Sequence, residues 1–234
     1  MFVDTAESLE LLGMAAMSEL KTLHAEVEGC TKCPRLVDWR EEVAVKKRKA
    51  YREQDYWGKP VPGFGDHDAD LMIVGLAPGA HGANRTGRIF TGDRSGDWLF
   101  RALHKAGFAN QPNATDLDDG LELDNCYITM PVRCVPPQNK PTAGERNNCA
   151  PFLIKELDLI KPKVILCLGS IGLNAVTQIF EVSPRPKFTH GQTYEIDNAP
   201  VVMASYHVSQ QNTQTGRLTE EMLDEVFANV RDRL

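Results

Sequence analysis

The chain has 234 residues, 42% of them hydrophobic, enough for a sizeable core; at roughly 100 to 200 residues per domain this favours one domain with extensions. Its 26 lysines and arginines face 32 aspartates and glutamates, and the net charge of -6 weighs against an evenly basic nucleic-acid binder. No apolar stretch approaches the roughly 18 residues of a membrane helix, and the start, MFVDTAESLELL, carries Asp4, Glu7 and Glu10 in place of a signal peptide's basic region, so a soluble, cytoplasmic monomer is expected.

Residues 6–28 show helical periodicity in Leu9, Leu12, Met14, Met17, Leu20, Leu23 and Val27, closed by Gly29. Cys30 and Cys33 follow as a C-x-x-C, open to three readings: a redox pair, half of a metal site, or chance. Cys134 and Cys149, with fourteen residues between them, supply a second half, and zinc is one metal that four thiolates accept. Residues 35–50 are predicted helical, and Arg40, Lys46, Lys47, Arg48, Lys49 and Arg52 form a basic run along and just beyond them, which alone reads as a solvated face and beside a ligand loop as a phosphate-tracking surface. Tyr51 to Asp66 is an aromatic loop broken by proline and glycine.

Leu71 to Val74 is a short, wholly apolar run, the pattern of a buried parallel strand. After it come Gly75, Gly79, Gly82, Gly87, Gly92 and Gly96, interleaved with His81, Asn84, Arg85, Thr86, Arg88 and Asp93. Glycines admit close backbone approach to a ligand and the polar residues supply donors and acceptors, so a site at the carboxyl end of this strand is expected. The loop matches neither G-x-G-x-x-G nor G-x-x-x-x-G-K-[ST], which excludes the usual nucleotide triphosphate cradle.

A helix over 96–107, with Ser95 as cap, leads to a polar, acidic connection over 109–124 and a second strand, 126–132, bent late by Pro131. Thr142 and Glu145 spell a capping box for a helix running to about Ile160, with Cys149 on its early turns. A third strand over 164–168, a helix over 171–181, a short strand near Tyr194, a fourth main strand over 201–205 and a last helix over 219–233 capped by Thr219 complete the chain. The alternation predicts a three-layer α/β/α sandwich on a mostly parallel four-stranded sheet, with a helical segment over about 1–66 attached to a core over about 67–234. Ligands sit at the carboxyl ends of such strands, where Asp93, Asn139 and His207 lie.

The run GLAPGAHGANRTGRIFTGD, the four cysteines and YHVSQQNTQTGR together resemble the uracil-DNA glycosylase superfamily and, within it, the iron-sulfur branch called family 5, over nearly the whole chain. The resemblance implies a 4Fe-4S cluster on Cys30, Cys33, Cys134 and Cys149, and a partner in DNA that contains uracil or other deaminated bases, flipped into a pocket. It implies a base pocket of Gly75, Ala77, Pro78, Gly79, His81, Phe90, Met130 and Asn139, with Phe90 stacking on the base, and DNA contacts from Asn84, Arg85, Thr86, Ser209, Gln210, Asn212 and Arg217. Other branches place a polar residue just after the leading glycine; here Leu76 and Ala77 cannot polarise water, which leaves Asp93 and His207 as the catalytic candidates. Hypoxanthine and xanthine join uracil as expected substrates, because Met130 stands where strict relatives carry an asparagine. Two rivals remain: a non-catalytic iron-sulfur or zinc nucleic-acid-binding module, and an α/β enzyme acting on a nucleotide or sugar phosphate.

Overall fold

The computed structural model describes residues 5–234, with side chains from residue 15, so the side chains of Leu9, Leu12 and Met14 in the first predicted helix lie outside those described. In order the elements are α1 (Thr5–Glu28), α2 (Pro34–Lys46), β1 (Phe64–Gly65), β2 (Leu71–Val74), α3 (Ala83–Thr86), α4 (Arg94–Lys105) and β3 (Cys126–Thr129). Then follow α5 (Ala143–Ile160), β4 (Val164–Leu168), α6 (Ser170–Ile179), β5 (Thr193–Tyr194), β6 (Val201–Ser205), α7 (Gln210–Gln214) and α8 (Glu220–Arg231).

The predicted four-stranded sheet is the parallel centre of a six-stranded one ordered β1-β3-β2-β4-β6-β5, whose two-residue outer strands run antiparallel. Of these, β5 is the short strand expected near Tyr194, placed at the sheet edge, while β1 was not predicted because two residues give no alternation to detect. The inner strands are apolar on both faces for the reason parallel strands usually are: helices cover both sides. Leu71, Ile73, Ile128, Leu166 and Met203 pack with α4 and α8, while Met72, Val74, Tyr127, Ile165 and Val202 pack with α1, α5 and α6. The three layers are thus present.

Local boundaries correct several expectations. The cap of α4 is Asp93, not Ser95: its Oδ1 accepts from the N–H groups of Ser95 and Gly96 at 2.9 and 3.1 Å, and the helix starts two residues earlier than predicted. Helix α2 stops at Lys46 rather than residue 50, and β3 stops at Thr129, before Met130 and Pro131. Met17 is 38% exposed, so the buried stripe of α1 is Leu20, Leu23 and Val27. The capping box forms as predicted, with Thr142 Oγ1 accepting from Glu145 N–H at 3.2 Å and Glu145 Oε2 from Thr142 N–H at 2.7 Å.

From β2 the chain moves to β3 on one side, then crosses back past β2 to β4 on the other, so the crevice beyond β2 and β4 is the switch point of the sheet. The first turn of α6 is drawn tightly under it: a Cβ on Gly172 would lie 2.7 Å from the carbonyl oxygen of Val74.

Candidate active site

The register aligns the carboxyl ends of the parallel strands, Val74 with Thr129 and Cys167, and Leu168 with Ser205. The loops leaving them enclose one cleft of about 1320 Å³, whose walls include Ala77, Pro78, Gly79, His81, Phe90, Asp93, Met130, Asn139, His207, Ser209 and Gln210. Three stretches remote in sequence therefore meet as expected.

Asp93 has one carboxylate oxygen occupied as the cap of α4, while the other faces the glycine loop. A Cβ on Gly82 would fall 1.9 Å from Asp93 Oδ2, so only glycine lets the loop close over the carboxylate. Burial raises the Asp93 pKa above the usual aspartate value, opposed by the N–H donors of Gly96 and Ser95. In the same cleft, burial alone lowers His207 to about 4, so its imidazole is neutral at neutral pH. Its buried Nδ1 has no partner among the described residues, and its backbone carbonyl is held by Asn212 Nδ2 at 2.8 Å.

Phe90 packs against His207, its ring centroid 5.8 Å from that of the imidazole at an interplanar angle of 40°. It is only 8% exposed and has φ of 51°, a left-handed conformation that a bulky residue seldom adopts. Gly96 permits this bend, since a Cβ there would meet the Phe90 carbonyl at 1.9 Å. Met130, 2% exposed, sits in the core and at the cleft wall at once. Gly75 lies beneath the Phe90 ring, and Asn139 stands exposed on the rim with φ of 57°.

The residues expected on DNA divide. Ser209 and Gln210 line the cleft, whereas Asn84 is fully buried and donates to the Arg40 carbonyl at 3.2 Å. Arg85 reaches the cleft wall but spends its donors on His81 O, Gln54 Oε1 and Gly92 O at 2.8, 2.6 and 2.8 Å, and the Thr86 hydroxyl bonds within the loop. These three residues staple the loop rather than face outward. Asn212 acts through His207, and exposed Arg217 lies over the Tyr206 ring at 4.6 Å. Sequence reasoning missed Arg48, Tyr51 and Gln54 as wall residues, although the basic run was the available signal.

The cysteines converge beside this cleft. Cys33, Cys134 and Cys149 are buried together with Leu36 and Val132, and Ala77 of the glycine loop packs on them. Arg40 Nη1 donates to Cys134 Sγ and to the Cys30 carbonyl, both at 3.2 Å, and Asn148 Nδ2 lies 3.4 Å from Cys33 Sγ. Burial pushes the Cys134 thiol up to about 11 against the pull of Arg40, and pushes Cys149 up against the Arg133 N–H. Hydrogen-bond donors aimed at buried sulfur are the surroundings that ligating thiolates require. Among the described residues, the metal-capable groups lying within 4.8 Å of one another are those of Asp66, His67 and Asp68, so no three cysteine sulfurs stand that close. Behind the cysteines, buried Glu156 accepts from Tyr127, Thr129 and Arg133, and Tyr127 meets His24 of α1 at 2.9 Å.

Residues 62–231 match the family model described as the uracil DNA glycosylase superfamily. The chain is 50% identical over 213 residues to a type-5 uracil-DNA glycosylase of Mycobacterium leprae, covering 89% of this chain and 93% of the relative. It is 50% identical over 205 residues to the type-5 enzyme of Thermus thermophilus, covering 86% and 92% of the two chains. A type-4 uracil-DNA glycosylase of Pyrobaculum aerophilum is 32% identical over 162 residues, 69% of this chain and 66% of the relative.

Proposed function

Because the chain belongs to the uracil-DNA glycosylase superfamily and to its type-5 branch, we propose that it excises uracil from DNA by hydrolysing the N-glycosidic bond. The observation that carries the mechanism is the convergence, on one cleft, of a half-buried carboxylate, Asp93, a neutral imidazole, His207, and Phe90 packed against that imidazole.

The extruded base stacks on Phe90. As the bond from sugar C1′ to the base breaks, the electron pair leaves with the base and positive charge develops on the sugar. Neutral His207 donates a hydrogen bond to the departing base, and N–H groups of the 75–82 loop add to the anion cradle. Asp93, ionised, stabilises the sugar cation and orients the water whose oxygen then bonds to C1′, while the proton that water loses ends on the departed base anion. The cap bonds from Ser95 and Gly96 prevent the carboxylate from turning away.

Cys30, Cys33, Cys134 and Cys149 would hold a 4Fe-4S cluster, which supplies a rigid cross-link between the α1–α2 segment, α5 and the loop after β3. The donors aimed at these buried sulfurs, Arg40 to Cys134 and Asn148 to Cys33, support their role as thiolate ligands. Apolar Met130 at the pocket wall supports tolerance of hypoxanthine and xanthine beside uracil.

The test is incubation with a duplex carrying one uracil, followed by alkali. Cleavage at that position is expected, and an intact strand with bound DNA would favour a non-catalytic binding module.

A further inference from the structure

In a chain of net charge -6, the densest positive charge follows α2. There the backbone makes one 3-10 turn, Lys49–Tyr51, that sorts side chains by direction. Tyr51 turns inward beneath the Arg85 guanidinium, 4.1 Å from the ring centre. Arg85 also donates to Gln54, and Tyr56 Oη lies 3.0 Å from His81 Nδ1. The N–H groups of Trp57 and Gly58 donate to the carbonyls of Arg85 and Asn84 at 2.8 and 3.0 Å. The segment is thus lashed along its length to the glycine loop.

What it holds outward is cationic. Arg48, Lys49 and Arg52 are exposed, with no ion-pair partner among the described residues, whereas Lys46 and Lys47 are matched by Glu42 and Asp55. Glu53 is the remaining acid of the segment. Arg48 itself lines the cleft, so the strip begins at the lip and leads away from it. Asp97 and Asp116, the acids of the cleft wall besides Asp93, come from α4 and from the connection before β3, not from this lip.

We infer that Arg48, Lys49 and Arg52 form a track for the phosphates of duplex DNA flanking the extruded nucleotide, a sequence-independent grip fixed in place by Arg85 and His81. The inference rests on the glycosylase reading and specifies which surface of an acidic protein meets the polyanion. A rigid row of unpaired cations binds a duplex chiefly by releasing its condensed counterions, at about 0.9 unit of log-log salt slope per neutralised phosphate.

The test measures the affinity for a uracil-free duplex over a range of salt concentrations. Arg48→Ser/Lys49→Ser/Arg52→Ser should reduce the slope of log affinity against log salt by about 2.7, and Lys49→Ser/Arg52→Ser by about 1.8. The double variant changes only exposed side chains and serves if the triple variant folds poorly, as judged by circular dichroism. Lys161→Gln, an exposed change at the opposite end of the sheet, should leave the slope unaltered. An unchanged slope in the double variant, or an equal loss in Lys161→Gln, would overturn the track. Failure of the unmutated protein to excise uracil would instead remove the glycosylase reading, which the binding slope does not measure.

Discussion

Asp93 serves two ends of the chemistry with different oxygens, and this makes its replacement informative. In Asp93→Asn the side-chain oxygen still accepts from Ser95 and Gly96, so the cap of α4 survives. Only the charge is lost, and single-turnover excision should fall by ~10³-fold, about 4 kcal/mol of transition-state stabilisation. Because burial raises the Asp93 pKa, the ionised carboxylate costs folding stability at neutral pH, and that cost fades as pH falls through the raised value. The asparagine variant should therefore melt no lower than the parent at pH 7, an advantage that narrows in acid; unchanged single-turnover excision would mark Asp93 as merely a cap. The same ionisation predicts an acid limb of excision centred above the ordinary aspartate pKa. At Met130 the expected outcome concerns choice: Met130→Asn should narrow excision from uracil, hypoxanthine and xanthine toward uracil, compared on matched oligonucleotides. A site built on buried hydrogen bonds penalises the wrong partner, which a thioether does not.

At the scale of elements, the sequence was clearest where periodicity or a cap chemistry spans many residues. The inner strands and α5 with its Thr142 and Glu145 box were legible, since burial on both faces and reciprocal capping each leave a distinct pattern. Helices α3 and α7, of four and five residues, were not, because one turn has no apolar stripe and their shape is imposed by the loops they sit in. The same limit explains Asn84 and Arg85: a polar residue in a glycine-rich loop looks like a ligand contact, and only the fold reveals that it braces Arg40, Gln54 or Gly92. Helix α5 also ties to α2, through the paired contact of Arg35 with Glu145 at 2.7 and 2.8 Å. Thr142→Ala should lower stability by about 1 kcal/mol in urea denaturation, the usual loss for removing such a cap.

Across the whole molecule, the proposed 4Fe-4S cluster on the four cysteines would bind together segments that the sheet alone does not join. Removing iron with a chelator should free α2 and the segment after it. The protein should lose its brown colour, and amide exchange should quicken in both the 47–58 strip and the 76–82 loop, because Ala77 packs on the cysteines and Asn84 on Arg40. Exchange confined to α1 and α2 would show that the catalytic loop stands without the cross-link. No helix among the described residues is long and apolar enough to cross a membrane.

The two-residue outer strands β1 and β5 carry a consequence for life at high concentration. An exposed sheet border offers a ladder on which another polypeptide can zip, and long, flat borders seed fibrils and gels. Here each border is two residues long and opposed in direction to its neighbour, and past Tyr194 the chain turns away toward a proline at 200. A second molecule finds almost no rail to extend, so crowded solutions of this protein should scatter little light.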